Sequence, residues 1–395
     1  MNILYIAPRD PRIANTGSTI RTAFLWESLK RLGTVYTVIY PSKDIDVSQT
    51  AVRDALERDR IHVVPNKQTS WWNWLPFYIS RKLMKNGSLA LTPAHRMRRA
   101  IGWEGIHFDC CVVRYIDQVA NRVAWKLAPL YIDIDDLPTT VFDQVIKRRL
   151  PIILRPLASC FVRFVQWRCL RHAKGLWVTN ETDLMRLKDR KPTRLLRNLA
   201  PRAKSDYRVD GCQEKLILTV GLMGYGPNSQ GVSWFLRHVW PEVHREFPEL
   251  TYAIAGGGLA DSTRRVWESV SGVRVLGFVD DLDAVYERAL AVVTPILSGA
   301  GTCVKTIEAC KRGRKVLSTA CAARGFSGSE MKELGVDVFI DATSFIALLR
   351  QWIERPTAAR LVRQREILAS AEQINSVDEF NRSVREMIVH ESKHA

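Results

Sequence analysis

The sequence predicts an α/β protein built from two doubly wound parallel sheets. Short apolar runs alternate with segments of helical periodicity along the chain, which is typical of parallel strands connected by helices. This alternation lapses at 201–213, and a second series of runs follows. At 395 residues, the chain is long enough for two domains that each bury their own core.

The first series of runs predicts a domain over 1–200, and the second predicts a domain over 214–374, with a linker at 201–213 between them. A polar segment of helical periodicity at 375–395 predicts a closing C-terminal helix. In order, the predicted strands are 2–7, 34–40, 61–64, 110–114, 129–134, 175–179 and 193–197 in the first domain, and 215–221, 251–255, 273–277, 290–294, 314–318 and 336–340 in the second.

The positive charge of the chain is concentrated in its first half. Residues 1–205 contain 35 Lys and Arg against 17 Asp and Glu, a net charge of +18, whereas residues 206–395 have a net charge of −1. This asymmetry indicates an anionic partner for the first half, such as lipid headgroups, a lipid diphosphate or nucleic acid. Nucleic acid is the weakest of these because no nucleic-acid-binding motif accompanies the charge.

Two stretches of the first half mix aromatic and basic residues. Residues 71–99 include Trp71, Trp72 and Trp74 beside six cations, which suits a membrane interface or, equally, a buried aromatic cluster with a basic flank. The stretch 147–171 is apolar nearly all round, so an interfacial helix and a partly buried helix with snorkelling arginines are both open. Neither a signal peptide nor a transmembrane helix is expected, and the cysteines lack zinc-ligand spacing.

A glycine-rich turn at 298–303 follows the apolar run at 289–295 and precedes a helix. Free backbone N–H groups at such a turn favour an anion. Lys305 adds a positive charge one turn later, and the carboxylate of Glu308 lies on the same helix face and can accept hydrogen bonds from ribose hydroxyls. This combination suits a nucleotide sugar, although a tight turn with solvated side chains is the alternative.

Five blocks in the second half occur in a characteristic order. They are Gly221-Leu222-Met223-Gly224-Tyr225-Gly226, Trp234-Phe235 with Trp240-Pro241, Ile254-Ala255-Gly256-Gly257-Gly258, Gly277-Phe278-Val279-Asp280-Asp281, and Ser298-Gly299-Ala300-Gly301-Thr302 with its helix. Together they resemble the donor half of the glycosyltransferase family 4 enzymes. The resemblance implies a B-type glycosyltransferase fold, in which two Rossmann-like domains face a cleft and the C-terminal helix crosses back to the first domain.

The resemblance also implies roles for residues of the second domain. The donor diphosphate would meet Lys305 and the backbone amides of Gly299, Gly301 and Thr302, and the backbone amides around Ala300 would help to hold the donor sugar. Glu308 would bind the ribose, Phe278 and Val279 would meet the nucleobase, and Gly221 would lie in the first donor loop. For Phe278, packing in the core is the alternative.

The sequence departs from the family pattern in the donor loops. The first loop, at 221–225, lacks the Arg and Lys that contact the diphosphate in many members, so Lys305 and Arg21 are the predicted replacements. Alanine at 300 stands where the family has a glutamate near the donor sugar. The first Glu of the family's Glu-x7-Glu pattern is also absent, and Glu308 matches the second.

In the first domain, Gly17 lies in the loop after the first strand and lets the backbone approach the donor, and Arg21 follows it in the next helix. Asp133, Asp135 and Asp136 end a later strand, where neighbouring negative charges are expected to raise one carboxyl pKa. We predict that Asp135 and Asp136 act on the acceptor. A divalent metal at these aspartates is the alternative, but the resemblance implies that no metal or other cofactor is needed.

The predicted function is that of a retaining glycosyltransferase, which moves a sugar from a nucleoside-diphosphate sugar to a lipid-linked or polysaccharide acceptor in bacterial exopolysaccharide or cell-envelope glycan assembly. Retention is implied by the resemblance. The predicted location is cytoplasmic and peripheral on an anionic membrane, which the first domain would contact. A nucleotide-sugar epimerase of the same fold and a catalytically silent nucleotide- or membrane-binding protein are the alternatives.

Overall fold

The computed structural model describes residues 1–13, 17–39, 50–63, 103, 105–116, 127–143, 147, 150–210, 215–298 and 302–391. The chain divides into two compact units. Unit 1 comprises Met1–Arg197 together with Val377–Ala395, and unit 2 comprises Asn198–Ser376. The aromatic and basic stretch at 71–99 and the residues Gly299, Ala300 and Gly301 lie outside the described residues.

Unit 1 is built on a parallel sheet of seven strands in the order β3-β2-β1-β4-β5-β6-β7. The buried apolar runs of the sequence form these strands, and their side chains are buried on both faces of the sheet. The strands are β1 (Asn2–Ala7), β2 (Thr34–Ile39), β3 (Ile61–Val63), β4 (Cys110–Arg114), β5 (Leu130–Ile134), β6 (Ala173–Val178) and β7 (Thr193–Leu195). The helices between them include α1 (Gly17–Lys30), α2 (Thr50–Arg58), α3 (Pro138–Val141), α4 (Arg155–Leu170) and α5 (Glu181–Leu187), and a 3-10 turn at Ile152–Leu154 precedes α4.

Unit 2 contains a parallel sheet of six strands in the order β10-β9-β8-β11-β12-β13. Its strands are β8 (Leu216–Val220), β9 (Thr251–Ala255), β10 (Val273–Gly277), β11 (Ala291–Thr294), β12 (Val316–Ser318) and β13 (Val336–Val338). Its helices are α6 (Gly226–His238), α7 (Trp240–Glu246), α8 (Asp261–Glu268), α9 (Leu282–Arg288), α10 (Val304–Cys310), α11 (Gly328–Glu333), α12 (Ala342–Ile353) and α13 (Thr357–Ile374). Each predicted strand is present within a few residues of its expected bounds, so the predicted fold class of two doubly wound sheets is confirmed.

Residues 198–210 pack on unit 2. The carbonyl oxygen of Ala200 accepts a hydrogen bond from Lys311 at 3.4 Å, and the hydroxyl of Tyr207 donates to the carbonyl of Arg312 at 2.7 Å. Arg314 donates to the carbonyl of Val209 at 2.9 Å. The first part of the segment that the sequence predicts to be a linker is therefore held along one domain by hydrogen bonds.

The last helix, α14 (Val377–Glu391), belongs to unit 1 although it follows unit 2 in the sequence. Ser28 in α1 donates to Asn381 at 2.6 Å, and the indole of Trp177 in β6 donates to the carbonyl of Ser383 at 3.4 Å. Met387 lies directly over Gly175, where a Cβ would be 2.3 Å from its sulfur. The close approach at Gly175 lets α14 cover this face of the sheet.

Candidate functional site

The strand order of unit 2 reverses between β8 and β11, which are neighbours in the sheet although β9 and β10 separate them in sequence. Open parallel sheets bind ligands at such a reversal, at the carboxyl ends of the strands. A small cavity lies at this point, and residues of both strands, of α6 and of α10 line it. They are Thr219, Val220, Asn228, Val232, Val293, Thr294, Pro295, Ile296 and Lys305.

Lys305 enters this cavity from the first turn of α10. Its Cε passes so close to the end of β8 that a Cβ on Gly221 would be 2.5 Å from it. Gly221 is therefore the residue that leaves room for the aliphatic stem of the lysine. In the described ranges, no oxygen bonds to the ammonium group of Lys305. Lys305 therefore brings a positive charge to the carboxyl ends of β8 and β11.

Glu308 lies one turn beyond Lys305 on α10, and its side chain is 15% exposed. Burial raises the pKa of Glu308, although the charges of Arg312 and Lys305 act in the opposite direction. The nearest guanidinium nitrogen, Nη1 of Arg312, is 3.9 Å from the carboxylate, beyond hydrogen-bond distance. Arg312 bonds instead to Asp283 at 2.6 Å. Within the described part of the chain, no residue hydrogen-bonds to the carboxylate oxygens of Glu308. These oxygens are thus left to accept hydrogen bonds from a ligand.

Two further residues of this cavity were not predicted from the sequence. The hydroxyl of Thr294, at the end of β11, is buried and has no hydrogen-bond partner among the described residues. Asn228 in α6 uses its amide nitrogen to donate to the carbonyl of Leu222 at 2.8 Å and so holds the loop after β8. A polar residue that ends an otherwise apolar run, as Thr294 does, is the signal in the sequence.

Backbone hydrogen bonds connect the loops after β8, β9 and β10. The amide of Met223 donates to Gly257 at 2.8 Å, and the amide of Gly256 donates to Gly277 at 2.6 Å. At the end of this row the side chain of Phe278 is 77% exposed, so the alternative of core packing for Phe278 is wrong. Its neighbour Val279 packs partly buried against the core.

Thr302 is buried, at 7% exposure, and lies two residues before the start of α10. The three other predicted members of this turn, at 299–301, lie outside the described residues. The structure thus brings Gly221 and Lys305 into contact, and it places Glu308 on the same helix as Lys305. The predicted ligand contacts of all these residues stay predictions.

The equivalent reversal in unit 1, between β1 and β4, holds a buried ionic cluster. Arg21 in α1 donates from Nε to Asp133 at 2.9 Å and from Nη1 to the carbonyl of Leu196 at 2.7 Å. Arg114, at the end of β4, donates to Asp133 at 2.6 Å. Arg21 is only 1% exposed. The structure therefore gives Arg21 a different task from the predicted contact with a diphosphate, because its guanidinium is enclosed and bonded to unit 1.

The expectation that crowded carboxylates raise a pKa in this cluster is wrong for Asp133. Burial alone would raise the pKa of Asp133, but the charges and hydrogen bonds of Arg21 and Arg114 hold it below its ordinary value. The sequence reasoning missed Arg114, although an arginine at the end of the apolar run Cys110-Cys111-Val112-Val113 is a visible signal. Two guanidinium groups thus replace the predicted repulsion with attraction.

Asp135 and Asp136 differ in their surroundings. Arg114 donates from Nη2 to Asp135 at 3.2 Å, and the side chain of Asp135 is 20% exposed. The hydroxyl of Tyr115 lies 3.5 Å from the same carboxylate. Tyr115 has a φ of 73°, a left-handed conformation that is uncommon for a bulky residue and that concentrates at functional sites. Asp136 is exposed and lies in the bend between β5 and α3.

Gly17 is exposed at the start of α1, and the rest of its loop, 14–16, lies outside the described residues. Among the residues that the structure describes, no three His, Cys, Asp or Glu side chains are grouped so that they could hold a metal ion. Asp133 and Asp135 already bond to Arg114. That the protein works without a metal stays a prediction.

Residues 214–354 match the family model described as glycosyl transferases group 1. A curated relative, an uncharacterized 44.6 kDa protein in cps region of Klebsiella pneumoniae, is 23% identical over 173 residues. That match covers 42% of this chain and 40% of the relative. The predicted resemblance to glycosyltransferases is confirmed for residues 214–354.

Solved structures of similar fold span nearly the whole chain. Sucrose-phosphate synthase from Thermosynechococcus elongatus has a TM-score of 0.68 at 15% identity, with 100% of both chains covered. HepE from Anabaena in complex with UDP has a TM-score of 0.63 at 14% identity and covers 99% of this chain and 100% of its own. WaaG, a glycosyltransferase involved in lipopolysaccharide biosynthesis, has a TM-score of 0.63 at 12% identity, with 98% and 99% covered. At these identities the likeness concerns the fold, which is the B-type glycosyltransferase fold.

Proposed function

We propose that this protein is a retaining glycosyltransferase that uses a nucleoside-diphosphate sugar and transfers the sugar to a lipid-linked or polysaccharide acceptor. The observation that carries the proposal is the pair Lys305 and Glu308 on α10. One is a cation without a bonding partner in the described ranges, and the other is a largely buried carboxylate with a raised pKa. A nucleoside diphosphate would satisfy both residues, because its diphosphate would bind Lys305 and its ribose hydroxyls would donate to Glu308.

Lys305 would stabilise the leaving group. When the bond between the anomeric carbon and the diphosphate oxygen breaks, its electron pair stays on the diphosphate, where negative charge grows. A fixed cation at that oxygen stabilises the transition state more than the bound substrate. With retention, the acceptor oxygen bonds to the anomeric carbon on the face that the diphosphate leaves, so the departing phosphate oxygen is near enough to take the acceptor proton.

Unit 1 would hold the acceptor. Asp135 keeps part of its carboxylate exposed while Arg114 fixes its position, so it can accept a hydrogen bond from an acceptor hydroxyl. The buried ion pair of Arg21 with Asp133 anchors α1 to the sheet beside it. In this proposal Asp135 orients the acceptor, and Arg21 and Arg114 are positioning residues.

Three findings about relatives support the donor and the pathway class. HepE from Anabaena was solved with UDP and with UDP-glucose, so uridine nucleotides are the first donors to test. The Klebsiella pneumoniae relative is named for the cps region, and WaaG acts in lipopolysaccharide biosynthesis. These names favour assembly of a bacterial envelope glycan.

The test is a panel of nucleoside-diphosphate sugars in a thermal unfolding assay, followed by product analysis. A donor at 100 times its dissociation constant adds about 2.7 kcal/mol of stability. The stabilising donor should then be turned over with a lipid-linked saccharide, and the anomeric configuration of the product reports retention or inversion. Stabilisation without release of nucleoside diphosphate would favour the silent binding protein, and reversible isomerisation of the donor sugar would favour the epimerase.

A further inference from the structure

The helix α4 and the turn before it expose a row of large apolar side chains on unit 1. The residues follow a helical spacing of three or four, so they share one face. Their exposures are 88% for Ile153, 73% for Leu157, 48% for Phe161, 52% for Phe164 and 55% for Trp167. Large exposed apolar patches are uncommon on monomeric soluble proteins and mark interaction surfaces.

The opposite face of α4 is anchored to unit 1. Val162 packs with Phe142, and Cys169 and Leu170 join the main core. Gln166 accepts hydrogen bonds from the amide and hydroxyl of Thr139 at 3.1 and 2.9 Å. The apolar residues of the exposed face are therefore surplus to the core, and α4 is a partly buried helix that leaves one apolar face uncovered among the described residues.

The charged residues of α4 itself are all cations. Residues 144–180 contain eight Lys and Arg and not one Asp or Glu. Arg163 and Arg168 are exposed on α4, and Arg171 stacks its guanidinium over the ring of Trp167 at 5.2 Å. Aromatic rings beside cations, in a stretch of sequence without acidic residues, are typical of a surface that enters the headgroup region of an anionic bilayer.

We propose that the exposed face of α4 docks on an anionic lipid surface, with the helix lying in the membrane plane. The row from Ile153 to Trp167 extends about 21 Å at 1.5 Å per residue, which is long enough for several rings to reach headgroup depth together. A second copy of this chain is a poorer occupant because pairing the two faces would bring their arginines together without a carboxylate between them. None of the described helices is long and apolar enough to cross a membrane.

The inference rests on the proposed function only for the reason why the protein would bind a membrane. A membrane-bound enzyme meets a lipid-linked acceptor at the surface where that acceptor lies. Its physical basis is the exposed apolar and cationic face alone. Vesicle binding is measured without donor or acceptor, and donor turnover is measured in solution without lipid. Each proposal can thus fail while the other stands.

The experiment is cosedimentation of the full chain with vesicles of phosphatidylcholine, with or without phosphatidylglycerol. The parent protein should sediment with the anionic vesicles at low salt. Replacing Phe161, Phe164 and Trp167 by Ser should weaken that binding on the order of 100-fold, because each ring contributes apolar burial. Replacing Arg163 and Arg168 by Gln should remove most of the preference for anionic vesicles, and salt should mimic this second change but not the first.

The matched control is the double substitution Val266→Ser and Val362→Ser, which removes exposed apolar side chains from unit 2 and should leave vesicle binding unchanged. Equal binding by the parent and the triple serine variant would overturn the inference. Loss of a dimer in the triple serine variant, seen by sedimentation velocity without lipid, would also overturn it in favour of a second copy.

Cys160 supplies a measurement on the parent helix itself. It is exposed on α4 between Leu157 and Phe161, so an environment-sensitive fluorophore on its thiol should shift its emission to the blue on anionic vesicles. Protein carrying Cys160→Ser and labelled in parallel should lack that shift. An unchanged emission in the labelled parent, with vesicles bound, would place the membrane contact elsewhere on the chain and overturn the inference.

Discussion

Replacing Glu308 with Gln is expected to change ligand binding and folding stability in opposite directions. The carboxylate is largely buried, and no described residue hydrogen-bonds to it, since Arg312 remains 3.9 Å away. A ribose that donates to this carboxylate would lose a hydrogen bond to a charged group in the variant. Such a bond contributes about 1.5–3 kcal/mol, so the dissociation constant for donor and for free nucleoside diphosphate should rise roughly 10- to 150-fold.

Stability should respond in the other direction. The folded-state pKa of Glu308 lies above its unfolded value because burial penalises the ionised form. Its favourable effect on stability is therefore present below the ordinary glutamate pKa, near 4.3, and is lost as the pH rises through the folded-state pKa. At neutral pH the native carboxylate costs stability, and Glu308→Gln should unfold at an equal or higher temperature than the parent.

Titration calorimetry with UDP and with the stabilising donor measures the first effect, and scanning calorimetry measures the second. Glu333→Gln is the matched control because Glu333 is exposed at the end of α11, and it should change neither quantity. Equal nucleotide affinity in the parent and in Glu308→Gln would refute the assignment of Glu308 to the ribose. A large loss of stability at neutral pH would refute the account of its burial.

Lys305→Ala should lower the rate of sugar transfer on the order of 100-fold while hardly changing folding stability. Lys305→Met keeps the aliphatic stem and should transfer sugar equally slowly. Normal turnover in either folded variant would remove Lys305 from the diphosphate site. Gly221→Ala would place a Cβ 2.5 Å from the Lys305 stem, whereas the nearest atom to a Cβ at Gly226 is 3.6 Å away. Donor affinity should therefore fall in Gly221→Ala and stay normal in the control Gly226→Ala. The same donor affinity in both variants would contradict the contact between Gly221 and Lys305. Asp133→Asn should destabilise unit 1 by about 3–5 kcal/mol because it leaves two buried guanidinium groups without their shared carboxylate. Since the pKa of Asp133 is lowered in the folded state, the parent should lose its greater stability over Asp133→Asn as pH falls below the ordinary aspartate pKa, near 3.9. Urea unfolding at a series of pH values measures this loss. An equal acid sensitivity of the parent and the variant would disprove the expectation.

The strands and their order of appearance were predictable because each is a buried apolar run, and such runs are visible in a single sequence. The pairing of β8 with β11 follows from the same fold class, and it explains why the glycine-rich loop at Gly221 and the helix that carries Lys305 come together. Local patterns thus located residues on both sides of the cavity at this reversal.

The surroundings of the charged residues were not predictable. Arg21 follows a glycine loop and looks like a ligand-binding cation, but its partners Asp133 and Leu196 are 112 and 175 residues away in the sequence. Arg114 lies in a strand that otherwise looks purely structural. A pKa depends on such distant contacts, so the lowered value of Asp133 reverses what the crowded aspartates alone suggested. The exposure of Phe161 and Phe164 is equally a matter of which side of α4 meets the core.

The return of α14 to unit 1 has a consequence for the order in which the chain matures during synthesis. A ribosome releases the chain from its N-terminus, so residues 198–376 can complete unit 2 while the fifteen residues of Val377–Glu391 are still missing from unit 1. Until they arrive, Trp177 lacks its bond to Ser383 and the sheet face around Gly175 lacks Met387. The unit that starts first therefore finishes last, and a nascent chain that stops short of Val377 presents a finished second half attached to a first half with a bare apolar face.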